Sequence, residues 1–134
     1  MAATLGELRA ALASVLEDAL PAWNVYRLPP DDVQPPSIVI GGFQVDTATF
    51  GDTSGRVGAD LQLIVSRRHV DQVHALDDLL SPTSDQSLWV LFNGNPTLGE
   101  KVGYCSVSGA GDYRELVVAD VGYYAATITL SVLL

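Results

Sequence analysis

The stretch Gly122–Leu134, GYYAATITLSVLL, decides the fold. From Tyr124 the even positions are Tyr124, Ala126, Ile128, Leu130, Val132 and Leu134; the odd ones include Thr127, Thr129 and Ser131. A period of two sends alternate side chains to opposite faces of a strand. The residue types, β-branched and aromatic, suit a half-buried pleated surface. The stretch therefore reads as a strand with one apolar face, and that face needs a cover.

Working back from it, Tyr113–Val121 leads through Asp120 into the terminal strand, and Gly109-Ala110-Gly111-Asp112 reads as a turn. Lys101–Ser108 is a further strand candidate. Upstream, Ser84-Asp85-Gln86-Ser87 opens a short helix through Leu88, Trp89, Leu91 and Phe92, which Asn93-Gly94-Asn95-Pro96 stops. Val70, Val73, Leu76, Leu79 and Leu80 mark an amphipathic helix ended near Ser81-Pro82. Ala59–Ser66 alternates again, with Ala59, Leu61, Leu63 and Val65 on one face. Ser37–Val45 is a strand in which Gly41-Gly42 predicts a bulge or a close backbone approach. Between these two strands, Asp46–Gly58 is rich in glycine and small hydroxyl residues and reads as a long hairpin arm or loop, with Phe50 in its middle as either a tucked staple or an exposed anchor.

At the other end of the chain, Thr4-Leu5-Gly6-Glu7 matches a capping box. Leu5, Leu8, Leu12, Val15, Leu16 and Ala19 follow at helical spacing until Pro21. Asn24–Arg27 is a short strand candidate. The prolines of Leu28–Pro36 enforce an extended, stiff connection after it. Strands come in runs instead of alternating with helices. The expected fold is α+β: a mixed, mostly antiparallel sheet of about four to six strands with two or three helices on one face, in a single domain.

Composition bounds the function. With 48% apolar and 17% charged residues over 134 positions, the chain is expected to form a core without metal or disulfide. Seven Lys and Arg against sixteen Asp and Glu give a net charge of −9, which disfavours nucleic-acid binding on the outer surface. Cys105 is the lone cysteine, so no internal disulfide is available, and a strand position makes it a small buried hydrophobe. The N-terminal stretch lacks the charge pattern of a secretory signal, and no apolar run approaches the ~18 residues of a membrane span.

Reactive motifs are weak. His69 and His74 with Asp71, Asp77 and Asp78 form the densest polar cluster, but histidines five apart lie roughly 140° apart round a helix and do not converge on a metal. Gly109-Ala110-Gly111 lacks the Lys-Ser/Thr of a phosphate loop, and no G-x-S-x-G elbow is present. No enzyme activity, cofactor or metal is expected. Ser66-Arg67-Arg68-His69 is the one basic cluster and suits either a strand-to-helix corner or a contact with a partner's carboxylate or phosphate.

A set of structural motifs carries a resemblance. An N-terminal helix precedes Val25-Tyr26, Pro30-Asp31, and Pro35-Pro36 entering a strand. Val65-Ser66-Arg67 then leads to the Leu76-Asp77 helix, followed by Ser87-Leu88-Trp89, the Pro96-Thr97-Leu98-Gly99 turn, and a closing alternating strand. Over nearly the whole chain this resembles the tail terminator (tail completion) proteins of long-tailed bacteriophages, especially those of actinobacterial phages. The resemblance implies an α+β subunit of a non-enzymatic hexameric ring. Such a ring caps the head-proximal end of the tail tube, ends tube polymerisation and offers a docking surface to the head-tail connector or stopper, while DNA passes through its lumen without specific binding. It implies a location in the tail or neck of the virion, reached from the host cytoplasm during assembly. Phe50, Asp52 and Arg56 on the arm become candidates for the tube face, and Arg67 and Arg68 for an intersubunit or partner contact. The terminal strand's apolar content suits a covered edge or packing between subunits. Six copies at −9 each would carry −54, which suits a bore that does not trap DNA. The alternatives are a neighbouring head-tail stopper or adaptor and, in a different class, a small bacterial ligand-binding α+β domain with its pocket under the arm.

Overall fold

The computed structural model describes residues 4–28, 34–46, 56–66, 70–83, 87–118 and 120–133. The chain is α+β. Its order is α1 (Leu5–Ala19), β1 (Asn24–Tyr26), β2 (Ser37–Asp46), β3 (Arg56–Ser66), α2 (Val70–Leu80), α3 (Leu88–Gly94), β4 (Tyr104–Val118) and β5 (Val121–Leu133). The strands form one sheet in the order β1-β2-β3-β5-β4; β1 and β2 are parallel and the other neighbours antiparallel.

Helix α1 starts where its sequence dictates. The Thr4 hydroxyl accepts from the Glu7 backbone N–H at 3.1 Å and the Glu7 carboxylate accepts from the Thr4 N–H at 3.4 Å, so two otherwise orphaned donors are satisfied. Leu8, Leu12 and Leu16 are fully buried, with Ala11 and Ala13 beside them. The expected stripe is shorter than its spacing suggests: Leu5 is 38% exposed and Ala19 is exposed.

The connection from β1 to β2 has to carry the chain back to a parallel start. Its described end is tied down by side chains of β1: Asn24 donates through Nδ2 to the Gln34 carbonyl at 2.7 Å, and the Tyr26 hydroxyl accepts from the Gln34 N–H at 3.2 Å. Gly41 and Gly42 form the expected bulge, since Ile40 pairs with Leu61 but Phe43 with Ala59. A Cβ on Gly41 would sit 3.1 Å from the Asp60 carbonyl oxygen, a tight contact that a side chain there would relieve only by moving the neighbouring backbone, so the close strand approach favours glycine.

Two expectations need correction. Gly109–Asp112 is no turn. It lies inside β4, where register shifts between Val107 and Gly109 and between Gly111 and Arg114 absorb extra residues against β5. Asp112, at φ 54°, takes the left-handed conformation there, as Asp does at modest cost. The chain reverses instead between Val118 and Val121, which pair, with Asp120 at φ 65°. Second, β5 is an interior strand, hydrogen-bonded along its length to β3 and β4. Ala126, Ile128, Leu130 and Val132 are fully buried in the cluster that also holds residues of all three helices, so the chain itself covers that face and packing between subunits is not needed to do so.

The main core lies between the helices and one sheet face: Ile38 and Ile40 of β2, Val57 through Val65 at alternate positions of β3, and the even residues of β5. The opposite face carries a smaller cluster, Val39, Ile64 and Ala125, flanked by Tyr26, Leu116 and Tyr123. Beyond it that face runs through Gln62, Thr127, Asp60, Thr129, Gly58 and Ser131.

Candidate interaction surfaces

Of the candidate interface residues, Phe50, Asp52, Arg67 and Arg68 lie outside the described residues, as does His69. Arg56 is described: it is the exposed first residue of β3, opposite Asp46 on one side and Leu133 on the other. The arm is therefore shorter than 46–58. Val45 pairs with Val57 and Gln44 with Gly58, so Arg56, Val57 and Gly58 belong to the sheet, with Val57 fully buried. The alternation at Val57, Ala59 and Leu61 carries that signal in the sequence, but the glycines around it mask it.

His74 and the carboxylates Asp71, Asp77 and Asp78 are exposed on α2, and among the described residues no three metal-ligating groups gather at one point. Asp77 instead accepts from the Tyr113 hydroxyl at 2.9 Å. The Tyr113 ring lies 5.4 Å from that of Tyr124, centroid to centroid. Partial burial first, and then this bond to a carboxylate, push the Tyr113 pKa up to about 12. Cys105 is 1% exposed, and burial pushes its thiol up to about 12, far from the range of a reactive cysteine.

Arg9 has a role its sequence context does not suggest. Its Nη1 donates to the Arg27 carbonyl at 2.6 Å and to the Ile40 carbonyl at 3.1 Å, and its guanidinium carbon lies 4.6 Å from the centre of the Phe43 ring. It thereby occupies the edge of β2 just past the end of β1, a place where an open strand invites another chain.

Two surface features stand out, at opposite ends of the sheet. The first is a groove of about 500 Å³ between one face of α1 and the turn Asn95–Lys101. Glu7, Ala10, Ser14 and Asp18 line the helix side; Asn95, Leu98, Gly99 and Lys101 line the other. Glu7 and Asp18 are eleven residues apart, which makes the helical wall roughly 16 Å long. The second wall is a left-handed turn: Leu98, Gly99 and Glu100 have φ of 50°, 70° and 68°. Such a conformation costs about 1–2 kcal/mol at each non-glycine position. Burial of Leu98 to 2% exposure offsets it, as do the bonds Lys101 N–H to Thr97 O at 2.9 Å and Glu100 N–H to Thr97 Oγ1 at 3.2 Å. The turn is anchored to the sheet through Cys105 N–H to Pro96 O and Gly103 N–H to Leu133 O.

The second feature is the tip of the β4–β5 hairpin. The last described register pair between β3 and β5 is Ser66 with Tyr123, and the β4–β5 pairing runs two positions further, to Val118 with Val121. Val117 there is 69% exposed and Val121 43%. Neither feature is legible in the sequence: the groove needs two distant segments brought together, and Tyr113–Val121 reads as a connection into the terminal strand. A scan against known family models finds no match, and a search of curated proteins finds no similar sequence.

Proposed function

We propose that the chain is a structural subunit that works by self-association and docking, as a ring that caps a phage tail tube and ends its polymerisation. The observation that carries this reading is where the residues behind the resemblance fall. Pro35-Pro36 enters β2, Val65-Ser66 closes β3, Ser87 caps α3 by accepting from the Val90 N–H at 3.2 Å, and Pro96–Gly99 leads into the left-handed turn. Each of these sits at an element boundary and shapes the backbone there, which supports the reading. The acidic balance supports the same reading, since a bore of one sign with DNA lets the duplex pass.

The test is direct. Purified protein added to polymerising tube protein should give capped tubes of shorter, narrower length distribution, and electron microscopy should show rings at the tube ends. Tubes that grow as long with the protein as without it would sink the reading. Tubes left uncapped while the protein binds the head-side connector would assign it to the neighbouring neck position. A small-molecule role has one observation in its favour, a groove within the roughly 300–1,000 Å³ of ligand sites, and ligand-dependent thermal stabilisation is its signature.

A further inference from the structure

The groove beside α1 carries one charge of each sign that no described residue neutralises. Asp18 lines its helical wall and Lys101 its turn wall. Both are exposed, and their side chains pair neither with each other nor with any other described residue. Glu7, the second carboxylate of the lining, is already held: its Oε1 accepts from the Thr4 N–H at 3.4 Å and from the Thr4 hydroxyl at 3.1 Å. The uncommitted charges are therefore one anion and one cation, on different walls of the same groove. Ala10, Val15 and Leu98 give that groove its apolar lining. A simple anion would meet Asp18 and the chain's net charge of −9; a simple cation would meet Lys101. A molecule carrying both charges on an apolar chain can satisfy both walls.

Both walls are built before a ligand arrives. The helical wall is fixed by its capping box and by the burial of Leu8, Leu12 and Leu16 behind it. The turn wall is fixed by the bonds Lys101 N–H to Thr97 O at 2.9 Å and Cys105 N–H to Pro96 O at 2.6 Å. A preformed site leaves less ordering to be offset by binding. The helix also gives the groove a polarity. Asp18 lies in the last turn of α1, which has no basic residue, so its carboxylate adds to the negative end of the helix dipole. An ammonium group is favoured there, and a carboxylate is favoured at Lys101.

We propose that the α1 groove binds a small aliphatic zwitterion, its ammonium at Asp18, its carboxylate at Lys101 and its methylene chain along Ala10, Val15 and Leu98. This site goes beyond the ring reading and does not depend on whether copies assemble. The experiment is a titration of isotope-labelled protein with ε-aminocaproate, followed by backbone amide NMR shifts, beside the single-charge probes hexylamine and hexanoate. The zwitterion should bind more tightly than either probe, and the shifts should gather on α1 and on the Thr97–Lys101 turn. Both protein charges are exposed, so each contact is worth about a threefold to fivefold change in Kd. Asp18→Asn should bring the zwitterion's Kd up to that of hexanoate, and Lys101→Gln should bring it up to that of hexylamine. Glu17→Gln, an exposed carboxylate of α1 outside the groove lining, should leave it unchanged. Thermal unfolding of each variant checks that the fold is intact.

Hexylamine binding as tightly as ε-aminocaproate would overturn the proposal, because the groove would then be reading positive charge alone. Glu17→Gln weakening the zwitterion as much as Asp18→Asn would overturn it as well, by assigning the effect to the general acidity of the chain. Shifts confined to other parts of the sheet, or none with any of the three probes, would leave the groove without this ligand. Tube capping is measured separately: a protein that caps tubes and takes no zwitterion loses this site and keeps the ring, and one that binds the zwitterion without capping does the reverse.

Discussion

The two faces of the sheet obey different rules. On the covered face, Leu61, Leu63, Ile128 and Leu130 are fully buried, and all three helices contribute to the same cluster. On the other, the same strands present Asp60, Gln62, Thr127 and Thr129, and a small apolar cluster of Val39, Ile64 and Ala125 is buried beneath flanking aromatic and leucine side chains, with Ser37 buried opposite Ile64. One face is fixed by packing, where density leaves little freedom of choice. The other is free to be shaped by whatever it meets. Interaction residues are therefore to be sought on the open face, at the sheet's ends and along its edges, and not in the alternating pattern that made the fold readable.

The largest test of this contrast is a pair of truncations. Leu63→Ala should cost about 2–5 kcal/mol in urea unfolding, because it leaves a cavity under the helices. Thr129→Ala, on the face behind it, should stay within roughly 1 kcal/mol; its hydroxyl donates to the Asp60 carboxylate at 3.1 Å, an exposed bond. Similar losses for both would mean that the open face is covered in solution, as a stable assembly would cover it.

Much of the covered face is legible in the sequence. The alternation at Ala59–Val65 and Tyr124–Val132, the Thr4–Glu7 capping box and the Gly41-Gly42 bulge are local signals with local causes, and each appears where its residues put it. What failed was what local signals do not encode. Gly109-Ala110-Gly111-Asp112 has the composition of a turn, but glycine and aspartate serve a bulge as well, and only pairing with β5 separates the two uses. The interior position of β5 follows from its pairing with β3 across two intervening helices, which no window of sequence contains. The groove depends on left-handed backbone at Leu98 and Glu100, positions whose side chains give no hint of it. Of the candidate interface residues only Arg56 falls on described structure, and it lies in a strand.

The edge between the two faces gives an intermediate effect. Arg9→Ala removes the donor to the Arg27 and Ile40 carbonyls and uncovers the Phe43 ring. Charged hydrogen bonds of this kind are worth about 1.5–3 kcal/mol, so a loss of about 2 kcal/mol is expected. The open β2 edge should also increase aggregation, measurable by light scattering. Neighbouring residues of β4 then sharpen the contrast further. Cys105 lies on the covered face, and Ser106, opposite Ser131, on the open one. Cys105→Ser buries a hydroxyl among apolar side chains and should cost about 1–2 kcal/mol, whereas Ser106→Ala should be near neutral. With its thiol buried and its pKa near 12, native Cys105 should react with thiol reagents only as fast as the chain opens; labelling at the rate of a free thiol would show the covered face to be loose.

The smallest effect lies at the boundary where the hairpin leaves the core. Tyr113 is 42% exposed, yet its hydroxyl holds Asp77 of α2 and its ring meets Tyr124. Tyr113→Phe should cost about 0.5 kcal/mol near neutral pH, since an exposed hydrogen bond sits at the low end of its range. The pH dependence is the sharper readout. The folded pKa is raised from 10.0 to about 12, so the folded chain keeps a proton that the unfolded chain loses between those values. Stability from this group is complete below pH 10 and falls as pH rises towards 12. Phenylalanine, which does not titrate, should flatten that alkaline decline in urea titrations at pH 9 and pH 11. An unchanged decline would place the linkage on Cys105, whose buried thiol is likewise pushed up to about 12, and would leave the Tyr113–Asp77 bond without a part in holding the hairpin to the covered face.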